Sequence, residues 1–185
     1  GALPVSDIFQ AMTAKGFSAP DIIGRINDKL RALLPEDMFL SACFVSLEKE
    51  LRLVGIWNGG MPDVLVVSGE PGRIAQRIRS RHLPLGIVAH IDAAEGFERV
   101  PVTPGDCVVL CSDGLIEALS PAGEMFGDER LAAAIEHGTD GDDPFARIVR
   151  AMDAFCLNAP QDDDISLMQI PCLAATLRAD APSPA

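Results

Sequence analysis

The order of its periodic segments is the feature that most constrains how this chain can fold. Two helical patterns come first, then several short apolar strands joined by tight turns, then two more helical patterns and a last strand. This order lacks the regular strand–helix alternation that a parallel sheet requires. Strands that follow one another through short turns pair antiparallel. The sequence therefore predicts an α+β fold in which helices pack outside antiparallel sheets.

The N-terminal third is predicted to be helical. One helix is expected over Val5–Ala14 and is ended by Gly16, and a second begins after the N-cap residue Ser18 and stops at Pro35. The second helix has an apolar face at helical spacing, formed by Ile22, Ile23, Ile26, Leu30, Leu33 and Leu34. Two later helices are expected over Glu129–Glu136 and Pro144–Phe155.

The strand predictions come from short β-rich runs separated by turn residues. Phe39–Leu47 and Leu51–Trp57 are predicted to form a hairpin, and Asp63–Val67 follows as a third strand. Glu98–Val102 and Cys107–Cys111 are predicted to pair through a turn at residues 103–106. The last predicted strand is Ile165–Ile170. Because strands lie on both sides of the helical region, we expect one domain over residues 1–170 and a loose Pro- and Ala-rich tail over 171–185.

Charge and composition narrow the range of partners. Against 15 Lys and Arg residues the 185-residue chain has 27 Asp and Glu residues, a formal net charge of −12. Such a surface repels phosphate backbones and anionic lipids, so we expect neither nucleic acid nor a membrane as partner. No apolar run reaches the roughly 18 residues of a membrane helix. The five cysteines form no C-x-x-C pair, which favours reduced thiols and a cytoplasmic location.

Two acidic segments are the candidate sites for chemistry. In the first, the apolar run Cys107–Cys111 leads directly into Ser112, Asp113 and Gly114, so one carboxylate stands at the end of a buried strand. Asp113 could serve only as a helix cap there, with Gly114 allowing a sharp exit from the strand. In the second, Asp162–Asp164 precede the last strand. That cluster is either an exposed acidic turn or a set of ligands for a hard cation such as Mg²⁺ or Mn²⁺.

Six motifs in order carry a family resemblance. They are residues 58–62 (Asn-Gly-Gly-Met-Pro), 83–87 (Leu-Pro-Leu-Gly-Ile), 104–106 (Pro-Gly-Asp), 111–118 (Cys-Ser-Asp-Gly-Leu-Ile-Glu-Ala), 124–131 (Glu-Met-Phe-Gly-Asp-Glu-Arg-Leu) and 163–167 (Asp-Asp-Ile-Ser-Leu). Over residues 1 to about 170 the chain resembles the SpoIIE/RsbU branch of the metal-dependent PPM (protein phosphatase 2C-like) Ser/Thr phosphatases.

The resemblance implies a fold, a site and a function. The fold would be a β-sandwich of two antiparallel sheets flanked by helices, with a dinuclear Mn²⁺ or Mg²⁺ site. Asp113 would bind one metal, Asp163 the other, and Asp164 would lie beside Asp163; Asp113 and Asp163 are the expected catalytic residues. The substrate would be a phosphoserine protein of the anti-anti-sigma type. An upstream receiver or sensor domain would control the activity, and a homodimer is left open.

Two departures from the family pattern leave a second function open. Met61 stands where the family has a histidine. The family's two N-terminal metal-binding motifs have no counterpart in the chain, whose first four residues align just after the second of them, so we expect the natural chain to continue upstream. The alternative function is a catalytically silent module of the same fold. It would bind a sigma factor or another component of that pathway, as response regulators of the RssB type do.

Overall fold

A computed structural model describes residues 2–35, 37–48, 52–69, 73–137 and 143–172. The helices of this part are α1 (Ala2–Ala14), α2 (Ala19–Leu33), α3 (Asp113–Ile116), α4 (Gly127–Glu136) and α5 (Pro144–Cys156). The strands are β1 (Ala42–Glu48), β2 (Leu53–Gly59), β3 (Val64–Val67), β4 (Ile74–Ile78), β5 (Glu98–Pro101), β6 (Cys107–Cys111) and β7 (Leu167–Pro171). They form two sheets with the orders β1-β2-β5 and β4-β3-β6-β7.

The predicted fold class is confirmed, because strand pairs in both sheets are antiparallel and helices flank the sheets. The chain divides into two compact units. Unit 1 comprises Gly1–Glu48, Leu53–Met61 and Ser80–Val100; unit 2 comprises Lys49–Arg52, Pro62–Arg79 and Pro101–Ala185. No helix among the described residues combines the length and apolar character needed to cross a membrane.

Unit 1 is organised around the buried face of α2. The predicted cap is present, since the Ser18 side chain accepts a hydrogen bond from the Asp21 amide. The lone tryptophan, Trp57 on β2, is fully buried and lies between Phe44, with ring centroids 5.8 Å apart, and a stacked His82 at 5.2 Å. The core around this tryptophan contains Ile22, Ile23, Ile26, Leu30, Leu85 and Ala93.

A buried polar residue connects α2 to the loop that carries the Leu-Pro-Leu-Gly-Ile motif. The Asn27 side chain donates to the Val88 carbonyl at 3.0 Å and accepts from the Gly86 amide at 2.9 Å. Only 1% of Asn27 is exposed, so losing either bond would leave a buried amide or carbonyl group unsatisfied. The motif is therefore placed by the helix and not by the sheet alone.

Unit 2 has its core between the four-stranded sheet and the helices α3, α4 and α5. In the central strands β3 and β6, alternate residues such as Leu65 and Val109 face these helices. The helices contribute Leu115, Leu131, Ile135 and Ile148 to the same core. Residues on both faces of β3 and β6 are buried, as the fully apolar run at Cys107–Cys111 indicates.

The predicted pairing of Glu98–Val102 with Cys107–Cys111 is wrong. The strand β5 belongs to the sheet of β1 and β2, whereas β6 lies between β3 and β7 in the other sheet. The side chain of Asp106 explains the difference. It accepts hydrogen bonds from the Thr103 amide at 2.7 Å and from the Gly69 amide at 2.9 Å, and so connects the turn to the end of β3.

Two further boundaries differ from the sequence predictions. Strand β4 (Ile74–Ile78) was not predicted, because its three middle residues are exposed and two of them are polar, as is common at a sheet edge. The tail was predicted to start at residue 171, but Pro171 is the last residue of β7 and Cys172 is fully buried. The Cys172 amide donates to the Asp106 carbonyl at 2.8 Å, which holds this residue in the sheet. The rest of the predicted tail lies outside the described residues.

Two substitutions on α2 test the assignment of its buried face. Ile26 is fully buried, whereas Leu33 on the same helix is 52% exposed. We expect Ile26→Ala to lower the free energy of unfolding by about 2–5 kcal/mol, because it leaves a cavity in the core. The matched change Leu33→Ala should stay within about 0.5 kcal/mol of wild type. Urea denaturation followed by circular dichroism measures both, and equal effects would contradict the assigned face.

Candidate metal centre

The first acidic residue, Asp113, stands where the buried strand β6 ends. Four of the five residues of β6 are buried, and the chain leaves the sheet through Ser112. Asp113 is the first residue of the short helix α3, and its side chain is exposed. The apolar strand is held rigidly by its neighbours, so the position of this carboxylate is fixed by the core behind it.

The second acidic segment is brought beside the first by the pairing of β6 with β7. In the antiparallel register Cys111 lies opposite Leu167, so the residues after β6 meet the residues before β7. Three hydrogen bonds from Ser112 extend the contact beyond the ladder. Its amide donates to the Ser166 carbonyl at 2.9 Å, and its hydroxyl accepts from the Ser166 amide at 2.9 Å and donates to the Asp164 carbonyl at 3.1 Å.

Gly114 allows the two segments to touch. A Cβ atom at this position would lie 2.5 Å from the Asp164 carbonyl oxygen and 3.6 Å from the Asp163 carbonyl carbon. The first distance is shorter than any real Cβ contact, and the atom it meets is backbone. The glycine is thus required by the close approach of the 163–164 backbone, not by the backbone freedom at the strand exit that the sequence suggested.

The two aspartates that the resemblance assigned to metals have matching local geometry. Asp113 Oδ1 accepts a hydrogen bond from the following amide, that of Gly114, at 3.0 Å. Asp163 Oδ1 does the same with the Asp164 amide at 2.8 Å. Each carboxylate is therefore oriented by its own backbone, and both side chains are exposed. Exposed carboxylate oxygens are the donors that Mg²⁺ and Mn²⁺ prefer, so the donor chemistry fits a hard divalent cation.

The ligand set within the described residues is incomplete. The structure brings the segments of Asp113, Asp163 and Asp164 together, but nowhere in the described ranges do three His, Cys, Asp or Glu side chains form a group able to hold a metal ion. Asp113 is also not the helix cap that the sequence left open as its only role. The N-cap position of α3 is Ser112, whose side chain makes no capping hydrogen bond. Ser112 instead organises the contact, a role that the sequence analysis missed.

The electrostatics of the site are negative. Burial, together with the nearby negative charges of Asp128 and Asp113, raises the pKa of the Cys111 thiol to about 12. Cys111 is therefore protonated at neutral pH and is neither a nucleophile nor a metal ligand. The field that acts on Cys111 would equally attract a cation at the end of β6.

A pair of glycine substitutions tests the close approach at Gly114. We expect Gly114→Ala to lower the free energy of unfolding by about 1–3 kcal/mol, because the new methyl group must displace the Asp164 backbone. The control is Gly24→Ala in α2, where a Cβ meets no atom within 4 Å. There the change should raise stability by up to about 1 kcal/mol. Thermal and urea unfolding measure both, and a neutral Gly114→Ala would show that the segments do not touch.

Comparisons with known proteins agree with this fold. The family model for Stage II sporulation protein E (SpoIIE) matches residues 1–172. A search of curated proteins finds no match. Among solved structures, the SiaA-PP2C domain of Pseudomonas aeruginosa is 20% identical with a TM-score of 0.71, over 89% of this chain and 65% of that one. A structure of the PP2C phosphatase domain and a fragment of the regulatory domain of SpoIIE from Bacillus subtilis is 13% identical with a TM-score of 0.70, over 91% of this chain and 48% of that one.

A structure that contains the RsbU and RsbW domains of Rv1364c from Mycobacterium tuberculosis also matches, at 17% identity and a TM-score of 0.64, over 90% of this chain and 45% of that one. This chain thus spans about half to two-thirds of the length of these three structures. Two other matched structures are described with metals, RsbX with magnesium and SpoIIE soaked in manganese. The chain belongs to the SpoIIE family, in the SpoIIE/RsbU-like branch of the PPM phosphatases.

Proposed function

We propose that this chain is part of a metal-dependent protein serine/threonine phosphatase in which Asp113 and Asp163 are metal ligands, with Asp164 beside them. The observation that carries the proposal is the contact of the two acidic segments, fixed by the Ser112 hydrogen bonds and by Gly114. That contact is made by Ser112 and the backbone, so holding the two segments together does not require the two exposed carboxylates. The negative charges of the two segments repel one another unless solvent or a bound cation relieves the repulsion.

The residues of the chain perform defined tasks in this proposal. The amides of Gly114 and Asp164 each bind one oxygen of the preceding carboxylate, which leaves the other oxygen for a cation. Ser112 fixes the spacing between the two segments. When bound, Mn²⁺ or Mg²⁺ would supply positive charge for the phosphoryl oxygens and lower the pKa of water. Without a cation the acidic segments would repel a phosphorylated substrate, so the proposal requires the metal for binding as well as for chemistry.

The proposed substrate is a phosphoserine protein such as an anti-anti-sigma factor. Support comes from the matched proteins, which include an RsbU domain described together with an RsbW domain. We infer that residues 1–170 act as one phosphatase domain in the cytoplasm, under the control of an upstream receiver or sensor domain. The structures matched are longer than this chain, so the complete ligand set is proposed to include residues outside these 185.

One observation favours the alternative, a silent binding module for the sigma-factor pathway. The described residues hold no cluster of three potential metal ligands. Met61, at the family's histidine position, has its amide bound to the Asn58 side chain at 3.1 Å, which keeps the loop ordered without an imidazole. A module that retains the fold and binds a partner through its surface would need no more than this.

A metal-dependent assay on the complete natural protein separates the two functions. We expect hydrolysis of a small aryl phosphate and of a phosphoserine protein that requires Mn²⁺. Asp113→Asn and Asp163→Asn should each reduce the turnover number by about a hundredfold or more, because each removes a charged ligand worth several kcal/mol to the transition state.

The matched control is Asp162→Asn, which removes the same charge from the neighbouring exposed position. It should retain most of the activity, since Asp162 is assigned no metal. If folded wild type with excess Mn²⁺ turns over no faster than the Asp113 and Asp163 variants, the phosphatase is excluded and the binding module remains. If all three variants lose activity equally, the specific ligand assignment is wrong.

A further inference from the structure

The strongest departure from the acidic surface is a basic stretch at strand β4. Four of the 15 basic residues, Arg73, Arg77, Arg79 and Arg81, lie within nine positions, and no Asp or Glu occurs between Glu70 and Asp92. Arg81 forms an ion pair with Glu98 at 3.3 Å. The side chains of Arg77 and Arg79 are exposed, and they make no ion pair or hydrogen bond with any of the described residues. These two residues are the β4 arginines.

The sheet register places the β4 arginines at a defined position relative to the acidic segments. Arg77 is opposite Leu65, Leu65 is opposite Val109, and Val109 is opposite Gln169, so these four residues share one row and one face. The Gln169 side chain accepts from the Phe145 amide of α5 at 2.8 Å, which identifies the face as the one that carries the helices. Arg77 lies on this face at the outer edge of the sheet.

Strand direction then brings Arg79 to the end of the sheet where Asp113 stands. Both β4 and β6 run antiparallel to β3, so they run in the same direction. Arg79 follows β4 just as Ser112 and Asp113 follow β6. With strands about 4.8 Å apart, the edge is about 10 Å from β6 and about 14 Å from β7. An extended peptide covers that distance in three to four residues.

An edge strand often carries charged residues only to prevent pairing with other chains. Lysine is the residue most often used for that purpose, whereas the edge residues here are arginines in a chain of net charge −12. Arg79 at the end of the sheet that carries the candidate phosphatase site, with Arg77 two residues before it, instead complements an anionic substrate. Arginine binds carboxylates in a planar, two-bond geometry that lysine cannot match.

Resting on the proposed phosphatase function, we propose that the β4 arginines bind acidic residues of the phosphoserine substrate. The recognised substrate would carry Glu or Asp about three to four residues from the phosphoserine. The arginines would act in docking alone and would not touch the reacting phosphoryl group. Selectivity for acidic phosphoserine proteins would then be built into this edge of the sheet.

The test compares two phosphoserine peptides on the complete natural protein with Mn²⁺. One peptide has Glu three and four residues to either side of the phosphoserine, and the other has Gln at those positions. We expect Arg77→Glu/Arg79→Glu to raise the KM for the Glu peptide about five- to tenfold. The KM values for the Gln peptide and for an aryl phosphate should not change. Arg77→Lys/Arg79→Lys should retain only part of the preference for the Glu peptide, because lysine keeps the charge but not the two-bond geometry.

A matched control separates docking from general charge effects. Arg25→Glu/Lys29→Glu changes the net charge by the same amount at exposed positions on α2 and should leave the KM unchanged. The docking proposal is overturned if wild type shows no preference for the Glu peptide. It is also overturned if Arg25→Glu/Lys29→Glu raises the KM for that peptide as much as Arg77→Glu/Arg79→Glu does. A wild type that hydrolyses no aryl phosphate instead contradicts the proposed function. In that case fluorescence anisotropy measures binding of the Glu and Gln peptides to wild type and to the same variants. This measurement tests the docking proposal independently of catalysis.

Discussion

The contact between the end of β6 and the segment before β7 is the constraint on which the candidate site depends. A buried, fully apolar strand fixes one carboxylate, and an antiparallel ladder that pairs Cys111 with Leu167 brings the second acidic segment alongside. Ser112 closes the contact with three hydrogen bonds, and Gly114 leaves room for it because any side chain there would collide with the Asp164 backbone. Core packing, backbone pairing and site geometry are therefore coupled, and a change in one is transmitted to the others.

Much of this arrangement could be predicted from the sequence, for identifiable reasons. Helix α2 has a periodic apolar face and a serine cap, and β6 is apolar on both faces, so local pattern alone located them. Their order indicated antiparallel sheets and outer helices. The two acidic segments also stood out, because each adjoins a strand. The family resemblance assigned both to one metal site, whereas the β6–β7 register that brings them together pairs residues more than fifty positions apart and leaves no local signal.

What the sequence could not provide was set by tertiary contacts. A turn at residues 103–106 was predicted correctly, yet its flanking strands join different sheets, and the Asp106 side chain connects the turn to Gly69 at the end of β3. Strand β4 escaped prediction because two of its three middle residues are polar. Gly114 was expected to relax the backbone and instead accommodates a neighbouring segment. In each case the deciding partner is distant in sequence.

Cation binding tests the central claim, that Asp113 belongs to a divalent metal site, more directly than turnover does. Electron paramagnetic resonance measures the free Mn²⁺ that remains when the complete protein is titrated with the ion. We expect Asp113→Asn to weaken Mn²⁺ binding by about tenfold or more, whereas Asp162→Asn should leave it nearly unchanged. Equal Mn²⁺ affinities for wild type and Asp113→Asn would contradict the account, even if the protein proved to be a phosphatase.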